Sequence, residues 1–251
     1  MSRSAYLLTR MTWPEVEQAL KTVKIAIIPL GAHEQHGPHM VESCDAVLAE
    51  EMGARLTAAL HPAALMTPTI NMGISSQHSH FPGTISLEPS TLIAILRDMI
   101  KSLKQHGISK FLILNSHGGN QSTLGVAVDT LTRELEVELY FAKTTASAKD
   151  VMDRRIESKL YGHSCDREVS EALYLAPHLV RTDKLEKADI QEGRWRKLRP
   201  GNPLQGFYYY EEMTRNGCLG DATRATREIG QEIVETALER LVNAVNEVIH
   251  V

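Results

Sequence analysis

Long apolar runs are missing from this sequence: nowhere does it approach the ~18 consecutive apolar residues of a membrane-spanning helix. Cysteine is scarce, with Cys44, Cys165 and Cys218 scattered over 251 residues. That is too few for a disulfide framework, so a reducing, cytoplasmic setting is the expectation. No basic excess exists either. Lys and Arg number 27 against 31 Asp and Glu, a net charge of −4, which argues against a nucleic-acid partner. Met1 to Trp13 lacks the apolar centre of a signal peptide. Phe and Trp are few, at 4 and 2, whereas histidine reaches 11. The remainder is ordinary globular composition, 43% hydrophobic and 23% charged, in a chain long enough to bury a single large core.

Hydrophobic periodicity alternates between two kinds. KIAIIPL at Lys24 to Leu30 is a short Ile-rich run, the pattern of a buried strand. Between Ser43 and Leu60, the residues Leu48, Met52, Leu56 and Leu60 recur at helical spacing. Ala64 to Thr67 reads as a second strand. Leu92, Leu96, Met99 and Leu103 mark another amphipathic helix, with Gly107 as its stop. Lys110 to Leu114 is a central strand, Leu124, Val128, Leu131 and Leu135 lie on a helix, and Val137 to Ala142 is a strand. This order predicts an α/β fold with helices on both faces of a mostly parallel sheet. A short helix over Glu168 to Leu175 stops near Pro177. Arg181 to Tyr210 is polar and aperiodic, a long excursion of the kind that carries function or moves. The last helix starts near Thr223 and carries Ile229, Ile233, Ala237, Leu241 and Val248. No repeat and no linker composition interrupts the chain, so residues 1–251 are expected to form a single domain.

The histidines cluster. His33, His36 and His39 share a loop with Glu34, His78 and His80 share another, and His117 and His163 stand in loops of small residues. In open α/β sheets such loops converge at the carboxyl ends of the strands. Glu34 and His36 are two apart, and an extended backbone points both to one side. A carboxylate beside an imidazole suits a divalent transition metal; the plainer reading is a polar loop. Asp45 opens the next helix, where an acid is most often a cap, although Ser43 offers an alternative cap. NSHGGN at Asn115 to Asn120 follows a strand and opens a helix, with Asn120 as the expected cap. Its glycines let backbone N–H groups approach a ligand, unless His117 merely decorates a turn. His78, before the turn residues Pro82-Gly83, faces either a substrate or only its own loop. In HSCDRE at His163 to Glu168, Asp166 is a candidate cap, and Glu168 is favoured in a first helical turn with or without a metal. Cys44 and Cys165 are thiolate ligands or nucleophiles on one reading and small buried residues on the other.

Read together, GAHEQHGPH (Gly31 to His39), Cys44-Asp45, HSHFPGTISL (His78 to Leu87), NSHGGN, HSCDREVS (His163 to Ser170) and GDATRAT (Gly220 to Thr226) resemble the creatininase family of metal hydrolases, in the family's order and over most of the chain. The resemblance implies a three-layer αβα sandwich and a binuclear metal site. It implies Glu34, His36, Asp45, His117 and Glu168 as ligands, with Asp45 bridging, and His163 as the general acid/base. His78, Ser116 and Gly118 fall on the substrate side. The ions would be zinc, or manganese or iron, and the family's trimer-of-dimers hexamer is the expected assembly. The family commonly reads NGHGGN and HAGExETS, from which Ser116, Ser164, Cys165, Asp166 and Val169 depart. Creatininases carry a glutamate where this chain has Gly119, and an acid where it has Gly162. Glu168 matches the glutamate other members use instead, and both glycines argue against creatinine as substrate.

The chemistry implied is attack on a carbonyl by a water that two divalent ions acidify. Backbone N–H groups around Ser116 to Gly119 are candidate oxyanion donors, and His163 would protonate the leaving group. A small cyclic amide is the leading substrate class. The alternatives are ring carbon–carbon hydrolysis of a diketo-inositol, and, in a different class, a metabolite-binding protein with a structural metal.

Overall fold

The computed structural model describes residues 5–250, so the first positions of the Met1–Trp13 stretch lie outside it. Its elements are β1 (Tyr6–Leu7), α1 (Trp13–Ala19), β2 (Ile25–Leu30), α2 (Cys44–Ala59), β3 (Ala64–Met66), α3 (Pro89–Lys104), β4 (Lys110–Asn115), α4 (Gln121–Leu135), β5 (Glu138–Lys143), α5 (Lys149–Arg155), α6 (Asp166–Leu175), α7 (Trp195–Leu198) and α8 (Arg227–Ile249). The five strands lie in the order β1-β3-β2-β4-β5, every pairing parallel.

All six residues of β2 are buried. A strand covered on both faces needs no polar alternation, and the two faces separate cleanly. Ile25, Ile27, Leu112 and Leu114 meet Met52 and Leu56 of α2, Val151 of α5, and Ile233, Val234 and Ala237 of α8. Ala26, Ile28, Phe111 and Ile113 meet Leu92, Leu96 and Ile100 of α3, and Leu124, Ala127 and Leu131 of α4. The result is the expected α/β sandwich. No helix among the described residues is long and apolar enough to cross a membrane.

Helix starts were the least legible feature. Thr223 belongs to a 3-10 turn, and α8 begins after Thr226, whose hydroxyl accepts the Ile229 N–H at 3.2 Å. Asn120 sits before α4 without capping it. Its amide oxygen instead accepts the Ile74 N–H at 2.9 Å and its nitrogen donates to the Gly31 carbonyl at 3.0 Å. Asp166 is likewise no cap: Cys165 occupies that position, and the Asp166 carboxylate accepts the Ser158 hydroxyl at 3.0 Å. Ser43 precedes α2 with no side-chain capping bond, and Asp45 lies inside the first turn. The Arg181–Tyr210 excursion is folded, burying Trp195 in an aromatic cluster with Tyr208, Tyr210, Met213 and Leu219.

β2 connects onward to β3 on one side and β4 to β5 on the other, although β2 and β4 are neighbours. Their outgoing loops therefore diverge and leave a crevice, the usual place for a ligand in such sheets.

Candidate metal centre

Five segments meet over that crevice. The loop after β2 brings Glu34 and His36, α2 brings Asp45, the loop after β3 brings His78, the turn after β4 brings His117, and the α6 start brings His163 and Glu168. All seven are buried. The two oxygens of Asp45 face different rings: Oδ1 lies 3.5 Å from His36 Nε2 and Oδ2 lies 3.0 Å from His117 Nδ1. Glu34 Oε1 is 3.3 Å from His117 Nδ1, 3.5 Å from His163 Nδ1 and 3.7 Å from His78 Nε2. Candidate ligand atoms of Glu34, Asp45 and His117 lie within 4.8 Å of one another, as do those of His36, His163 and Glu168, and those of Glu34, His78 and His163.

The far side of each imidazole decides what its near side offers. His36 Nδ1 is 3.0 Å from the Glu34 carbonyl, and His117 Nε2 is 2.9 Å from the Ile74 carbonyl. A carbonyl only accepts, so those nitrogens carry hydrogen, and in the neutral rings the lone pairs of His36 Nε2 and His117 Nδ1 point at carboxylates. Both oxygens of Glu34 and Oδ2 of Asp45 are buried without a hydrogen bond of proper geometry. Lone pairs facing buried carboxylates require a cation between them or a proton on the ring. Without a metal, protons answer. Burial pulls the His36 and His117 values down, but the Asp45 and Glu34 charges overcome it and lift them to about 10 and about 9. Burial raises Glu34 to about 7, with the Asp45 charge adding to it. Asp45, despite its burial, is held below the usual carboxylate range by His36 and His117. Protons and divalent cations compete for such a donor set, so these residues fit a metal.

Glu168 is positioned from its own helix. Oε2 accepts the Ser164 N–H at 2.6 Å, and Oε1 accepts from Arg167, which also holds Glu171 at 3.2 Å. Ser164 adopts φ +50°, a left-handed conformation rare for a residue with a side chain, which aims that N–H at Glu168. His163 and His78 are driven well below the ordinary histidine value by burial and by the neighbouring histidine charges. Tyr210 stacks on His78 with ring centroids 4.0 Å apart and stands edge-on to His163 at 5.0 Å.

A cavity of about 270 Å³ opens beside Glu168, lined also by Ser116, Gly118, Lys143, Thr145 and Arg167. The oxyanion expectation narrows there: Ser116 N–H is bonded to the Leu30 carbonyl at 3.0 Å and His117 N–H to Asn115 Oδ1 at 3.2 Å. The cysteines resolve as core residues. All three are buried, and burial pushes the Cys44 thiol well above its ordinary value and that of Cys165 to about 12. Outside the centre, His33 pairs with Glu42 at 3.3 Å, His39 packs against the Ser164 carbonyl at 3.0 Å, and His80 joins Glu211. Sequence reasoning missed Gln35, Arg167 and Tyr210. Gln35 lies between two motif residues, and Tyr210 sits in the aperiodic excursion, where no pattern marks it.

Residues 9–245 match the creatininase family, described as creatinine amidohydrolase, and the chain belongs to that family. It is 27% identical to the creatinine amidohydrolase of Pseudomonas putida over 98% of both chains. It is 30% identical to the mycofactocin precursor peptide peptidase of Mycobacterium tuberculosis, over 87% of this chain and 83% of that one. With the 3-dehydro-scyllo-inosose hydrolase of Thermotoga maritima it shares 25%, over 95% and 82%. Solved creatininase structures, one described as Mn and another as Zn-Zn type, align with TM-scores of 0.82 and 0.83 at 26% and 25% identity, covering 97% of this chain and 98% of theirs.

Proposed function

We propose that the chain is a binuclear metal-dependent hydrolase, a single domain acting on a small cyclic amide or related carbonyl compound other than creatinine. The observation that carries this reading is the buried pair Glu34 and Asp45, with three oxygens lacking hydrogen bonds, faced by histidine lone pairs that backbone carbonyls on the far nitrogens hold in place. Glu34, His36, Asp45, His117 and Glu168 would hold the ions, with Asp45 shared between them. Bound divalent ions, zinc foremost and manganese or iron also suited to this donor set, would supply Lewis acidity toward a carbonyl and toward water.

The protein's own groups do the rest. His163 donates Nε2–H to the Gln35 carbonyl at 2.7 Å, so its Nδ1 lone pair faces Glu34. Neutral by burial, it is able to take a proton there and return it to a leaving group. The cavity beside Glu168 would seat the substrate against Ser116 and Gly118, and His78, which faces Glu34 and does not line that cavity, would reach it from the centre. Tyr210 covers His78 and His163 and keeps water from their faces.

Creatinine is disfavoured by what two glycine positions allow: space at Gly119 and backbone conformation at Gly162. A Cβ on Gly119 would lie 2.1 Å from the Ile74 carbonyl oxygen, and Gly162 holds φ +152°. Neither position accepts the carboxylate of a dedicated creatininase. The likeness to 3-dehydro-scyllo-inosose hydrolase keeps ring carbon–carbon hydrolysis as the second reading. A closed structural site is disfavoured by the adjoining cavity.

The test is elemental analysis after zinc or manganese reconstitution, with turnover of cyclic amides, formamides, peptides and inositol ketones. Expected are close to two ions per chain, as in two-metal hydrolase sites. His117→Ala should lose metal and activity together, and His163→Ala should keep metal while kcat falls ~10²–10⁴-fold. A chain that saturates with no metal, or equal metal loss in both variants, defeats the assignment. The same reading carries a cytoplasmic setting and a hexamer, and light scattering checks the hexamer.

A further inference from the structure

Gln35 has no place in the ligand set, yet it is buried at the back of two of the site histidines. Its amide orientation is fixed by backbone on both sides. Oε1 accepts the Gly37 N–H at 2.8 Å, and Nε2 donates to the Gly217 carbonyl at 3.0 Å. Turning the amide over would set a hydrogen-bearing nitrogen against an N–H and an oxygen against a carbonyl, so no such flip is available. Gly217 makes the clamp possible: at φ +76°, a Cβ there would lie 2.1 Å from Gln35 Oε1.

The second Nε2 hydrogen then has one acceptor that lacks another donor, His78 Nδ1 at 2.9 Å. His163 Nε2 also lies near, at 3.1 Å, but 2.7 Å from the Gln35 carbonyl it must itself be the donor. Each hydrogen in the network thus has a single acceptor. A neutral imidazole whose Nδ1 accepts carries its hydrogen on Nε2. That nitrogen points toward Glu34 Oε1 at 3.7 Å, too far for a direct hydrogen bond, so the N–H is aimed into the centre and remains available.

We infer that Gln35 is a positioning residue that sets the tautomer of His78, making it an N–H donor to an oxygen bound in the centre and excluding it from the ligands. By distance alone His78 qualifies as a ligand with Glu34 and His163; the hydrogen on its near nitrogen removes it. In His36 and His117 the carbonyl holds the hydrogen on the nitrogen away from the centre, so the nitrogen that faces the carboxylates is bare. The role of the donated hydrogen rests on the metal-hydrolase reading, whereas the tautomer itself does not.

The experiment is nitrogen-15 NMR of histidine-labelled protein, read with and without zinc. The expected spectrum shows His78 with a bare Nδ1 and a hydrogen on Nε2 in both states. A hydrogen on Nδ1, or zinc on Nε2, overturns the inference. Gln35→Glu offers Nδ1 an acceptor in place of a donor and should move the hydrogen to Nδ1. An unmoved hydrogen in that variant, folded, also overturns it. Should that variant not fold, His78→Ala decides independently: it should keep the wild-type zinc content while His36→Ala loses zinc, and equal loss refutes the donor role. A wild-type chain that takes up no zinc defeats the hydrolase reading alone, because the metal-free spectrum still reports the tautomer.

Discussion

Asp45 divides its oxygens between His36 and His117, so one carboxylate links both halves of the centre. Asp45→Asn keeps the shape but replaces one acceptor oxygen with an N–H₂ group, which cannot ligate. Metal content measured by elemental analysis should fall from close to two ions to below one per chain; undiminished content would show that Asp45 links nothing. Gly119 poses the converse case. Gly119→Glu would restore the carboxylate that creatininases carry, but its Cβ meets the Ile74 carbonyl oxygen and His117 Nε2. Overpacking of this kind costs ~1–3 kcal/mol, so denaturant titration should show a loss in that range and creatinine assays should show no gain. Creatinine turnover in Gly119→Glu would mean that the loop carrying Ile74 yields readily.

At the scale of elements, α6 is held against α8 with no room to spare. A Cβ on Gly230 would fall 1.9 Å from the Ser170 carbonyl oxygen, which is backbone and cannot swing aside. Gly230→Ala should therefore push the helices apart, at a cost of ~1–3 kcal/mol. Calorimetry should record a Tm lower by about 2–12 °C, and, because the proposed ligand Glu168 rides on α6, zinc affinity should drop; a variant melting with the wild type would overturn the packing argument. Long elements with a clear stripe, such as α2, α3 and α4, were legible from periodicity. The two-residue β1 and the seven-residue α1 and α5 were not, since elements that short cannot repeat a pattern. The start of α1 is held by a Thr12–Glu15 capping box, a local signal that periodicity does not carry. Asn120 misled because its side chain satisfies tertiary partners instead of its own helix. Glu34 and His36 were legible as candidate chemistry through residue type and spacing, whereas Asp45 read on its own as a helix cap and joined them only through the family resemblance. Gln35 was not, because its partners Gly217 and His163 are distant in sequence.

For the whole molecule, burying Glu34 and Asp45 together costs stability that a bound cation would return. A ligand that binds only the folded chain adds about 4 kcal/mol at a thousandfold excess over its Kd. Chelation followed by dialysis should lower Tm by roughly 8–16 °C, with recovery on adding zinc. Identical melting of stripped and reloaded protein would mean that the carboxylates find other partners.

The last sheet strand ends at Lys143, whereas Glu168 and Gly217 come later in the chain. During synthesis from the amino end, every strand leaves the ribosome before the residues that complete the centre. A nascent chain thus passes through a stage with every strand made and its donor set open, and a chain stopped anywhere in that interval would also lack α8, whose Ile233, Val234 and Ala237 cover one sheet face, leaving strands without a closed core as well as an unfinished site.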